Sequence, residues 1–148
     1  MWNAAIDGSD AVRLTVGSNL KWAPSWSQDG EWVAYMENEG GWGIWVVPAY
    51  GGRPVRLTGV SHFAGFPTWL DSNSETVIFA SVKPAGKKQN WNAWSVAVDG
   101  GKSEFFYGDL DSDIAWMDFS ADGKSMVYSG WPSNLSSIFI HILFVFLF

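Results

Sequence analysis

The run Pro24-Ser-Trp26-Ser-Gln-Asp29-Gly30-Glu-Trp-Val-Ala-Tyr35 continues through Gly43-Ile-Trp45-Val-Val and closes with Gly51-Gly52-Arg-Pro-Val-Arg-Leu57-Thr58. This stretch decides the fold. Asp29-Gly30 and Gly51-Gly52 are hairpin signals, because glycine accepts the positive φ that a tight turn demands. Between the turns, aromatic and β-branched residues form short segments suited to a pleated, half-buried surface. The reading gives four strands near 22–28, 32–36, 43–48 and 54–58. A helix is excluded, since no 3.6-residue apolar stripe survives glycines so closely spaced.

The same pattern recurs on both sides. Downstream come Pro67-Thr-Trp69, Thr76-Val-Ile-Phe79-Ala and Asn92-Ala-Trp94-Ser-Val-Ala-Val-Asp99-Gly100-Gly101. A third copy begins Trp116-Met-Asp-Phe119-Ser-Ala-Asp122-Gly123-Lys-Ser-Met-Val-Tyr128. Upstream, Ile6-Asp7-Gly8 and Val12-Arg-Leu14-Thr15 match the end of the first unit. Leu14 and Leu57 are 43 residues apart, as are Trp26 and Trp69, whereas Trp45 and Trp94 are 49 apart. The polar stretch from Lys83 to Asn90 absorbs the difference as a lengthened loop. Periods in this range mark arrays and propellers. The expected division is the end of a preceding blade at 1–15, blades at 16–58 and 59–107, an incomplete blade at 108–137 and an atypical tail at 138–148.

Pro24-x-Trp26-Ser-x-Asp29-Gly30 with Gly51-Gly52-x-Pro-x-x-Leu57-Thr58 resembles the TolB-type propeller repeat, a relative of the WD-type blade. That repeat also occurs in tricorn-like and prolyl-oligopeptidase-like peptidases. The resemblance covers residues 5 to 130 and implies an all-β fold, a partial β-propeller of about three four-stranded antiparallel blades. It further implies a non-catalytic scaffold that binds other proteins, in a periplasmic or extracytoplasmic setting. Two places depart from the pattern: Asp71-Ser-Asn-Ser replaces the Trp-Ser-x-Asp-Gly hairpin, and Glu104-Phe-Phe-Tyr107 lacks Leu-Thr. Propellers close with about four to eight blades. Three blades therefore read as a fragment of a longer propeller, whose open edges favour aggregation.

Composition bounds the function. Hydrophobic residues are 47% and charged residues 16%, which rules out a disordered chain. Nine basic residues against 15 acidic ones, with Lys87-Lys88 the sole basic pair, argue against nucleic acid as a partner. Without cysteine there is no disulfide, thiolate metal site or cysteine nucleophile. The N-terminal residues show no signal-peptide pattern. The tail, Ile138 to Phe148, is 11 residues long and apolar but for His141. A membrane helix needs about 20. The tail is open to three readings: a non-native end, the last blade's third strand running into an extra buried strand, or a membrane tail.

Candidate chemistry is sparse. Trp42, Trp45, Trp91 and Trp94 fall on corresponding strands and form a possible aromatic ligand face; rings there also serve to fill space between blades. Asp109, Asp111 and Asp113 alternate like calcium-loop ligands, but Ile114 and Ser120 stand where an EF-hand needs Gly and Glu. With His62 they lie on links between blades, at a channel mouth, where a cation or basic partner could bind; the competing reading is a solvated acidic loop, with His62 a surface loop residue. Two histidines are too few for a His-based metal cluster, and no Gly-x-Ser-x-Gly elbow is present. Gly40-Gly41-Trp-Gly43 lacks the Lys-Ser/Thr of a phosphate loop. No cofactor is implied. The leading expectation is a non-catalytic propeller segment in protein–protein interaction. Its alternatives are part of the gating propeller of a serine peptidase, and a glycan-binding propeller.

Overall fold

The computed structural model describes residues 1–59, 63–70, 73–82, 91–108, 112–132 and 142–147. His62, Asp109, Asp111, Lys87 and Lys88 lie outside them. The described residues are all β: β1 (Trp2–Asn3), β2 (Val12–Arg13), β3 (Lys21–Trp26), β4 (Trp32–Asn38), β5 (Trp42–Pro48), β6 (Val55–Arg56), β7 (Ala64–Trp69), β8 (Thr76–Val82), β9 (Trp91–Ala97), β10 (Glu104–Tyr107), β11 (Ser112–Phe119), β12 (Ser125–Pro132) and β13 (Ile142–Leu147). Two sheets have four strands, β3-β4-β5-β6 and β7-β8-β9-β10; β11-β12-β13 has three and β1-β2 two. Every pairing is antiparallel. This is a partial propeller of antiparallel, blade-like sheets, with β3, β7 and β11 side by side at the inner edge.

The hairpins show why Ser-x-Asp-Gly recurs. Ser27 Oγ donates to Asp29 Oδ1 at 2.6 Å and accepts the Trp32 N–H at 2.8 Å, while Asp29 Oδ1 also accepts the Glu31 N–H at 2.9 Å. Ser120, Asp122, Lys124 and Ser125 repeat the arrangement in the third sheet. Gly30 and Gly123 supply φ of 75° and 67°. This turn begins at Ser27, so β3 ends at Trp26, earlier than the strand read from sequence. In the second sheet Ser74 takes the positive φ, at 57°, without being glycine.

The Leu-Thr ending has an equally local cause. Leu57 N–H donates to the Ile44 carbonyl and the Thr58 hydroxyl accepts the buried Ile44 N–H at 2.9 Å, clasping the fourth strand to the third. Leu14 and Thr15 make the same two bonds to Met1. Arg56 reaches over Trp45 with its Nε donating to the Thr58 carbonyl; Arg13 reaches over Trp2 and donates to the Thr15 carbonyl. The registers match as well, Trp2 facing Arg13 and Trp45 facing Arg56. The pair β1-β2 thus has the geometry of third and fourth strands. In the second sheet Phe105 replaces the arginine opposite Trp94 and meets it edge-on at 5.8 Å.

The core lies between sheets. Ala34, Met36, Ile44 and Val46 pack against Leu57, Trp69, Val77, Phe79 and Val96. Ile78, Ala80 and Ala93 pack against Ile114, Met126 and Tyr128. Val33, Tyr35 and Val47 pack against Leu14. Second strands are therefore buried on both faces, and β4 and β8 read as continuous apolar runs. The tail backbone from Ile142 to Leu147 takes the third place in its sheet, in register with β12 along Ser125 to Gly130.

Candidate functional site

The inner strands share a distortion. In β3 two residues, Ala23 and Pro24, stand opposite one residue of β4; in β7, Phe66 and Pro67 stand opposite one of β8. Proline cannot donate to a ladder, so it is confined to edges and bulges, and both prolines sit on edge strands within a bulge. Ala23 and Phe66 adopt left-handed φ of 48° and 55°, uncommon for a residue with a side chain. In β11, Met117 replaces the proline and can donate, so the bulge moves one residue upstream to Ala115 and Trp116.

Together the bulges form a groove of about 350 Å³. Its walls are Ala23-Pro24-Ser25 of β3, Phe66-Pro67-Thr68 of β7 and Trp116-Met117-Asp118 of β11. Trp116 and Asp118 flank the buried Met117 and so emerge on one side of β11. No wall residue is basic.

A ladder of rings runs from this groove across the sheets. Trp116 meets Phe66 at 4.4 Å between centroids, Phe66 meets Trp91 at 6.4 Å, and Trp91 meets Phe63 at 4.7 Å. Phe63 then meets Trp42 at 6.2 Å, and Trp42 meets Trp22 at 6.0 Å. The two ends are open: Trp22 is 59% and Trp116 54% exposed.

The four tryptophans singled out by sequence separate into two pairs. Positions three apart on a strand face opposite ways, so Trp42 and Trp91 join the ladder. Trp45 and Trp94 pack into the layers between sheets, with their ring nitrogens buried and without hydrogen-bond partners. Asp113 accepts the Trp91 N–H at 2.7 Å through Oδ1, tying the third sheet to the second. Sequence reading missed Trp22, Phe63, Phe66 and Asp118. The usable signal was the repeat itself, which puts Ala23, Phe66 and Trp116 at equivalent positions beside the motif residues Pro24 and Pro67.

A polar cluster is enclosed in the first four-stranded sheet. Lys21 and Glu37 face each other across strands at 3.0 Å, nearly buried, and Asn19 donates to the same Glu37 oxygen. Burial, then the charge of Glu37, pushes the Tyr35 hydroxyl above its ordinary range. Among the described residues no three His, Cys, Asp or Glu gather to hold a metal, and no helix is long and apolar enough to cross a membrane.

No protein-family model and no curated protein matches the chain. Solved structures do. A TolB-type structure from Agrobacterium tumefaciens superposes with a TM-score of 0.68 at 20% identity, covering 82% of this chain and 42% of that one. TolB from Acinetobacter baumannii gives 0.68 at 17% identity, covering 99% of this chain and 34% of that one. A puromycin-hydrolyzing peptidase from Mycobacterium tuberculosis gives 0.57 at 16%, covering 84% and 28%. The chain spans less than half the length of each. The likeness shows the fold: a stretch of TolB-type propeller.

Proposed function

We propose that this chain is a segment of a longer TolB-like propeller and acts, without catalysis, as a protein-docking surface in an extracytoplasmic setting. The observation that carries the reading is the groove at the inner edge, walled by three successive blades and continued by an aromatic ladder whose two ends are exposed. Its walls offer aromatic and proline surface with a few polar groups, the mixture that orients a bound peptide. On this reading the blades divide as 1–15, the end of one before; 16–58 and 59–107, whole blades; 108–137, an incomplete third; and 138–148, an atypical tail.

The test is selection of peptides from a random display library on the full chain, followed by rebinding to Ser25→Trp, which fills the groove from β3. Selected peptides should lose binding to the filled groove. Peptides indifferent to that substitution would place docking elsewhere and sink the reading.

Likeness to the peptidase structure favours a second reading, the propeller of a serine peptidase. A Gly-x-Ser-x-Gly elbow downstream in the full gene decides for it.

A further inference from the structure

Building on the groove as a docking site, we infer that it recognises a guanidinium, the arginine side chain of a partner peptide, at the junction of β7 and β11. Three observations converge there. The ring centroids of Phe66 and Trp116 are 4.4 Å apart with planes inclined by 48°, so the rings pack together and leave the exposed Trp116 with free ring surface at the groove. Ring faces are negative in their quadrupole and attract a cation laid over them. Asp118, two residues along the same side of β11, is exposed at the same groove, and its Oδ1 is oriented by the Phe119 N–H at 2.9 Å. It is the one formal charge in the walls, in a chain of net charge −6.

The third observation is the backbone. Phe66 holds a left-handed φ that a bulky side chain rarely adopts, within the bulge that sets its ring against Trp116. The equivalent bulge in β3 carries Ala23, which offers no ring, so among the described residues this aromatic pair belongs to the junction of β7 and β11. Aromatic faces beside a carboxylate suit guanidinium better than ammonium, because its plane stacks and its fork meets a carboxylate with two donors. The occupant is a peptide because the groove continues from Phe66 past Pro67 and Thr68 to Ala23, Pro24 and Ser25 of β3, beyond the reach of one side chain.

The experiment titrates the full chain with acetyl-Phe-Arg-Phe-amide and with its neutral citrulline counterpart, following tryptophan fluorescence. The arginine peptide should bind about tenfold more tightly, the scale of one exposed cation–π contact and one exposed carboxylate pair together. Asp118→Asn and Trp116→Leu, both at exposed positions, should each bring the two peptides close to parity. Equal binding of both peptides to the unmodified chain overturns the inference, as does an arginine preference that survives Asp118→Asn. Binding of chitotetraose with no response to either peptide overturns it in favour of a glycan. If both peptides bind equally and both are lost in Ser25→Trp, the docking groove stands and guanidinium recognition falls.

Discussion

Ser27 and Asp29 carry the first hairpin between them, and Ser120 and Asp122 carry its copy. In each, a serine hydroxyl and a backbone N–H converge on one carboxylate oxygen. The serine bond first, then the backbone bond, hold Asp29 and Asp122 below the usual carboxylate range. A folded value below the unfolded one means stabilisation fully present above the unfolded value, about 3.9, and lost as pH falls through the folded value. Asp29→Asn should therefore lower stability at neutral pH and flatten its decline below about pH 4, as read from urea midpoints across pH. An acid limb as steep as before would mean that the carboxylate contributes nothing. Ser27→Ala should cost about 1 kcal/mol at neutral pH, because it strands the Trp32 N–H. At this scale the sequence was most legible. Asp-Gly announces its turn through chemistry confined to four residues, whereas Ser74 in the divergent hairpin took a glycine's φ that no residue type had signalled.

At the scale of the strand, the bulges are where sequence and structure part. Pro24 and Pro67 were visible as repeat anchors, yet what they do depends on β3 and β7 being edge strands, a tertiary fact. The groove was invisible for the same reason: its walls come from three strands that are neighbours only after the sheets stack. The ladder was half legible. Trp42 and Trp91 could be named from equivalent places in the repeat, but so could Trp45 and Trp94, which the alternation of the strand sends into the layers between sheets. The left-handed residues give a direct test. Ala23→Gly removes a Cβ from a φ of 48° and should stabilise the chain by about 1 kcal/mol. Phe66→Gly relieves the same strain at 55° but discards the ring contacts with Trp91 and Trp116, and should be destabilising overall. Opposite signs in thermal melts confirm that the β7 bulge is held by its aromatic packing. Two stabilising substitutions would show that the ring contributes little.

Across the whole molecule the joint between neighbouring inner strands is the feature to measure. Trp69 is 3% exposed, and its Nε1 donates to the Ser25 carbonyl of β3, reaching from one blade to the one before at 3.1 Å. Trp26 holds the equivalent place in the first blade and is 50% exposed. It lines a cavity of about 240 Å³ with Met1, Trp2, Pro24 and Val33, beside a pair of strands with the geometry of third and fourth, not first. Among the described residues no inner strand lies next to Trp26. Two like substitutions should differ. Trp69→Phe removes the donor from a buried joint and should cost about 1 kcal/mol or more, counting the volume lost. Trp26→Phe should stay within about 0.5 kcal/mol, as an exposed position does. Urea denaturation of both variants, in this chain and in one extended by a preceding blade, separates the cases. In the extended chain Trp26→Phe should become as costly as Trp69→Phe, because the same ring would then donate to a strand beside it. Equal costs already in the present chain would mean that Trp26 has its partner here and that the first blade needs no neighbour.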